Sequence, residues 1–209
     1  MVRTAAQGAR RRNADGGARA GRQRRRRTPA ARRQARRRTD RCRRGRVIWF
    51  RNADRRWPFL WQDATQPPAR WHGPAEGPAQ YLADTPDGAW AEFLRHEEIT
   101  EAADLAGIAR TLWALEVPDD EPAASPQLPA DVLRGGLASY PTCQAHARKL
   151  RDTGATALHA PSAALVDGGA HDRDGHVLVL YGARPDLRGW TCASDARPAQ
   201  RLLGLVRPL

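Results

Sequence analysis

Lysine is almost absent from this chain: of its 35 basic residues only Lys149 is not an arginine, a bias expected of a GC-rich coding sequence. Cysteine is scarce as well. Cys42, Cys143 and Cys192 are odd in number, far apart and never in a C-x-x-C pair. That argues against a disulfide framework or a zinc site and leaves free thiols. A cysteine nucleophile would need a neighbour that lowers its pKa, and the only one on offer is His146, three residues after Cys143, so no chemistry is assigned to the thiols. No apolar run reaches the roughly 18 residues of a membrane span, and the N-terminus lacks the apolar stretch of a secretory signal. The expected location is the cytoplasm, with no membrane partner.

Acidic residues are nearly missing from the first segment, where the positive charge gathers. The formal net charge is +12, yet residues 1–46 hold 19 arginines against Asp15 and Asp40, and residues 47–209 hold 21 acidic groups against 16 basic ones. The arginine-rich segment also lacks large apolar side chains. It cannot bury enough surface to offset chain entropy, so residues 1–46 are expected to be disordered. Runs such as Arg24–Arg27 would bind nucleic-acid backbones non-specifically through counterion release. With no aromatic residue before Trp49, however, the segment has no platform for base stacking. Upstream GC-rich DNA translated from a misplaced start would have the same composition, so both origins stay open.

From Val47 onward, 41% apolar residues across the chain suffice for one core, and a single α+β domain over residues 47–209 is expected. Val47–Phe50, Gln80–Ala83, Thr111–Val117 and Val177–Tyr181 read as strands, the last after an Asp174-Gly175 turn. Thr85-Pro86-Asp87 supplies an N-cap, a proline at the first helical position and an acid in the first turn, so a helix should follow. Cys143, Ala147 and Leu150 recur at helical spacing over Pro141–Thr153, with Gly154 placed as the C-terminal cap. The stretch Pro118–Pro129 carries four prolines and reads as a surface loop. The Asp-rich His171–His176 reads as a solvated turn; it lacks the distal glutamate of a calcium loop, and no metal is expected.

Six of the seven tryptophans lie between positions 49 and 113. Within this region Glu92 stands in an otherwise apolar Trp90-Ala91-Glu92-Phe93-Leu94. On a helix Gly88, Glu92 and His96 share a face with Ala89 beside it, which leaves space for a ligand. A plain amphipathic helix with a polar stripe of Glu92, Arg95 and His96 would look the same. Arg70 has two readings too: stacking on an indole, or presenting its planar fork to a phosphate. Arg70, Tyr81 and Glu92 are spaced eleven apart on loop, strand and helix, an arrangement able to converge on one cleft.

The pattern of Arg51, Arg70-Trp71, Tyr81-Leu82-Ala83-Asp84, Ala89-Trp90-Ala91-Glu92 and Ala160-Pro161-Ser162 resembles the RES domain, named for an arginine, a glutamate and a serine. The resemblance spans roughly Val47 to Tyr181. It implies a fold similar to that of the ADP-ribosyltransferase toxins and NAD⁺ as substrate rather than retained cofactor. It also implies a toxin controlled by an Xre-type antitoxin. Carried over by position, Glu92, Arg70 and Tyr81 would be catalytic, and Arg51, Arg70, Tyr81 and Ser162 would bind the dinucleotide. Ser162, with no triad histidine at an evident spacing, would be a hydrogen-bonding group rather than a nucleophile, although a serine capping the turn after Pro161 would look alike. The insert Arg55–Trp61 leaves Arg51, Arg55 and Arg56 all open as the first arginine, and the stretch after Ser162 lacks the asparagines the family leads one to expect. The implied activity is an NAD⁺ glycohydrolase or phosphorylase. Protein ADP-ribosylation on the same fold, and nucleic-acid binding through the arginine-rich segment alone, are the alternatives.

Overall fold

In the computed structural model of the chain, residues 45–171 and 175–209 are described. The expectations of disorder and nucleic-acid binding for the arginine-rich segment, and the Asp174 turn, fall outside them.

Strand β1 (Arg46–Ala53) extends the expected Val47–Phe50 at both ends, and β3 (Arg110–Pro118) pairs antiparallel along its whole length, from Arg46↔Pro118 to Ala53↔Thr111. On the other side of β1 lies β2 (Ala79–Ala83), but these two strands meet at a single register position, Phe50↔Ala83. Beyond β2 come β6 (His176–Tyr181) and β5 (Ala157–Pro161), both antiparallel, and the two-residue β4 (Ala123–Ala124), which runs parallel to β5 inside the proline-rich loop. The opposite edge is β7 (Arg188–Ala196), giving a seven-stranded order β4-β5-β6-β2-β1-β3-β7. Two well-paired ribbons are thus joined at one point, and the sheet opens along the β1/β2 seam.

Period-two alternation distributes the core over both faces. Leu178 and Leu180 of β6 pack with Trp49, Leu82, Leu115 and Leu60 on one side. Val177 and Val179 pack on the other against Trp71, Leu158 and the Cys143–Ala147 face of the helix α3 (Tyr140–Asp152). That helix ends as expected: Gly154 adopts φ +94, a conformation costly for any residue with a Cβ, and its N–H reaches Arg151 O at 2.8 Å.

Helix α1 (Pro86–His96) starts at Thr85, whose Oγ accepts from Gly88 N at 3.0 Å. It is wedged between three groups of residues. Ala89 meets Ala83 and Leu112, Trp90 and Leu94 meet Leu105, Ile108 and Leu202, and Ala91 meets Ala164, Leu165 and Ala170. The small residues of this helix allow that close approach. The simple polar stripe is therefore corrected: Arg95 is only 6% exposed, while His96 stays in solvent. A short helix α2 (Ala130–Arg134) leads towards α3, and no helix among the described residues is long and apolar enough to cross a membrane.

Candidate active site

The opened seam between β1 and β2, roofed by α1 and by residues 54–71, encloses a cavity of about 710 Å³. Glu92 reaches it from the middle of α1. One carboxylate oxygen is fixed: Ser162 Oγ, just beyond β5, donates to Glu92 Oε1 at 2.6 Å and accepts from Ala164 N at 3.1 Å and Leu165 N at 3.2 Å. The hydroxyl's single proton and both lone pairs are thereby used, so the direction of the bond to Glu92 is set. The other oxygen of Glu92 has no hydrogen-bond partner among the described residues.

Opposite stands Arg51 on β1. Its Nη1 donates to Tyr81 O across the seam at 3.5 Å, and its Nε is buried with no partner. Burial and the neighbouring Arg110 lower its pKa to about 10, so the group still carries its charge at neutral pH. Arg110 lines the same cavity, with Nε donating to Asn52 Oδ1 at 2.8 Å and its guanidinium 4.5 Å over the Phe93 ring. Asn52 is itself locked by donation to Ala89 O at 2.5 Å. Arg51 is a desolvated cation with an unpartnered Nε beside the second guanidinium of Arg110, and an anion bound to the pair would offset both the burial and the repulsion. Of the three candidate arginines only Arg51 is on this wall: Arg55 is exposed and paired with Asp195, and Arg56 is exposed and paired with Asp54.

Arg70 also touches the cavity, but its fork is spent within the protein. Nη1 donates to Val132 O at 3.2 Å and Ser139 Oγ at 2.8 Å, Nη2 donates to Gly135 O, and the plane lies 4.9 Å over Tyr140 rather than over an indole. Arg95, expected on the solvent side, shares that work, reaching Gly135 O at 3.0 Å, Ala163 O at 2.5 Å and Pro208 O at 3.2 Å.

Tyr81 projects from β2 with its hydroxyl fully engaged. It accepts from Trp71 N at 3.0 Å and lies 2.9 Å from His72 Nδ1, while His72 Nε2 lies 3.0 Å from Pro67 O. A carbonyl only accepts, so Nε2 carries the proton, and burial holds the His72 pKa below the usual histidine value. The neutral imidazole then accepts from Tyr81, whose own pKa burial raises well above that of a free phenol. Tyr81 thus offers the cavity a ring rather than a free hydroxyl. Ser162 likewise sits behind the wall formed by Pro161 and Ala163, so the structure places it as a support for Glu92 instead of at the cavity surface.

The sequence reading missed Asn52, Arg95, Arg110 and Tyr140. Arg110 heads the recognised strand and Asn52 follows Arg51, but neither position has a pattern separating it from an ordinary strand end.

A family model described as the RES domain matches residues 41–201. The chain belongs to the RES domain family. A chain in the crystal structure of the M. tuberculosis MbcT–MbcA toxin–antitoxin complex has a similar fold, with a TM-score of 0.54 at 20% sequence identity, covering 72% of this chain and 86% of that one. No curated protein sequence matches the chain significantly. In this RES domain Glu92 and Ser162 are one hydrogen-bonded unit, and Arg51 lines the same cavity as Glu92.

Proposed function

We propose that this RES domain cleaves the nicotinamide–ribose bond of NAD⁺ and acts as the toxin of a toxin–antitoxin pair. The observation that carries this reading is the pairing, in one cavity, of a carboxylate oriented by Ser162 with the under-satisfied guanidinium of Arg51. As the C1′–N bond breaks, its electron pair leaves with nicotinamide, which departs neutral and needs no general acid. Positive charge grows on the ribose, and the fixed carboxylate of Glu92 stabilises it; a preorganised group of this kind is worth about 10²- to 10³-fold in rate. An oxygen of water or phosphate then bonds to C1′, and with water the extra proton goes to solvent. Arg51 and Arg110 hold the diphosphate and keep the reacting ribose in register. Arg70 and Arg95 secure the backbone around Gly135 and thereby the wall that Tyr140 forms.

Membership of the RES family and the fold shared with a chain of a toxin–antitoxin complex support the biological role. A partner protein covering the cavity would silence the enzyme. The test is incubation of the full chain with NAD⁺, with and without phosphate. Free nicotinamide with ADP-ribose would show hydrolysis, and free nicotinamide with ADP-ribose 1″-phosphate would show phosphorolysis. Intact NAD⁺ under both conditions would overturn the proposal.

A further inference from the structure

The segment between Asp54 and Pro68 forms one wall of the cavity, and it is stitched down at several points. Phe59 stacks on Trp113 with centroids 4.5 Å apart, and Leu60 enters the core. Buried Gln80 acts as a surrogate strand partner, accepting from Trp61 N and donating to Trp61 O, both at 2.9 Å. Gln66 does the same for β2, donating to Ala79 O at 2.9 Å and accepting from Ala79 N at 2.7 Å. Such a strap has its backbone held in place, yet it leaves two indoles in solvent at the cavity: Trp57 is 69% and Trp61 38% exposed. Most of the hydrophobic contribution of the Trp57 ring and part of that of Trp61 are therefore unused in folding.

The wall is also continuous with the cationic part of the site, because β1 delivers Arg51 and Asn52 and runs directly into the strap that carries Trp57. The cavity holds Glu92 for the reacting ribose, Arg51 and Arg110 for an anion, and the indoles on the strap that follows β1. A dinucleotide would use all three: a carboxylate at the glycosidic bond, cations at the diphosphate and a stacking face for the second base. About 710 Å³ lies within the range of roughly 300–1,000 Å³ usual for ligand pockets.

Resting on the NAD⁺ reading above, we propose that Trp57 and Trp61 form an aromatic subsite that stacks the adenine of the dinucleotide, so that the enzyme selects NAD⁺ over nicotinamide mononucleotide. The mononucleotide contains the same scissile bond but lacks the adenylyl half.

The experiment compares nicotinamide release from the two substrates by the full chain and by Trp57→Ala, Trp61→Ala and Trp57→Phe. Loss of one stacking partner should raise KM for NAD⁺ roughly five- to a hundredfold with little change in kcat. KM for the mononucleotide should stay within about twofold, because it has no adenine to stack. Trp57→Phe, which keeps a π-face, should recover most of the loss. Equal effects on both substrates, or none on either, would overturn the subsite. Unchanged thermal unfolding of the Trp57 variants would exclude a folding defect. If the wild type cleaves neither substrate, the activity proposal fails by itself. Calorimetric titration with AMP then decides the subsite: binding that Trp57→Ala and Trp61→Ala abolish supports it, and no binding to the wild type overturns it.

Discussion

Ser162 Oγ donates a 2.6 Å hydrogen bond to Glu92 Oε1 from 70 residues away, with both of its lone pairs taken by the N–H groups of Ala164 and Leu165. The bond holds one oxygen of Glu92 by a group that cannot rotate elsewhere without losing two backbone contacts. In the proposed mechanism this fixed geometry is what makes Glu92 effective, because a preorganised carboxylate needs no reorganisation as charge develops on the ribose. Glu92→Gln should lower nicotinamide release at least about a hundredfold with KM little changed. Ser162→Ala should also act on kcat, and the double variant should be little worse than Glu92→Gln, since the serine works through the carboxylate. Near-wild-type turnover by Glu92→Gln would remove the glutamate from the mechanism.

Arg51 offers a test in which stability and binding move in opposite directions. Its buried Nε has no partner and its Nη1 makes only a long hydrogen bond to Tyr81 O, so the desolvation of its charge is only partly compensated. Arg51→Met should raise the melting temperature of the free protein while raising KM for NAD⁺ about tenfold or more, as expected for a lost charge-assisted phosphate contact. Arg70→Lys should do the reverse, lowering the melting temperature by releasing Gly135 O and Val132 O with little specific effect on KM. A substrate-binding defect confined to Arg70→Lys would exchange the two assignments.

Tyr81 should tolerate loss of its hydroxyl in catalysis but not in stability. Tyr81→Phe leaves Trp71 N–H and His72 Nδ1 without their partner, a cost of about 1–3 kcal/mol for buried groups. Denaturant unfolding should show that loss, while kcat stays within about threefold because the ring remains. A collapse of kcat with stability intact would mean that the hydroxyl takes part in the reaction.

One buried and one half-buried histidine shape the acid side of the stability profile. Burial lowers the pKa of His72, and burial together with His176 lowers that of His159, from a usual value of 6.5. Each is neutral in the folded chain at pH values where it would be protonated in the unfolded one. The unfolded state then binds more protons, so stability falls as pH drops through about 6.5 and stops falling, on their account, below the folded pKa values. Melting temperatures measured across this range should decline towards acid, and His72→Asn should flatten the slope. The same slope in His72→Asn would assign the effect to other groups.

Expression of the full chain in bacteria should arrest growth and lower cellular NAD⁺, and the Glu92→Gln form should do neither. Arrest that persists in the Glu92→Gln protein with NAD⁺ unchanged would point to harm from a different source, such as the arginine-rich segment.

Local signals in the amino-acid sequence determined the elements that frame the site. Short apolar runs bounded by turn signals placed β1, β2, β3 and β6, and Thr85, Pro86 and Gly154 marked the start of α1 and the end of α3, because such runs and caps depend on residues only a few positions apart. The resemblance to the RES domain brought Arg51, Arg70, Tyr81, Glu92 and Ser162 forward as a group. Which of them face a ligand was decided by the tertiary structure alone. In the sequence Arg70 is the better match for a phosphate-binding arginine, yet the carbonyls that occupy it lie 62 and 65 residues away, while Arg51 is left with an unpartnered Nε. The edge strand β7 is exposed along most of its length and is held by its backbone pairing to β3, so it carries no hydrophobic pattern to read. The two glutamines that anchor the tryptophan strap imitate strand pairing with side chains, and Ser162 meets Glu92 only because α1 packs against the segment that follows β5. Hydrogen-bond satisfaction and desolvation are properties of whichever groups end up adjacent. Local sequence therefore specifies the elements, and only their packing specifies which charges remain free to bind.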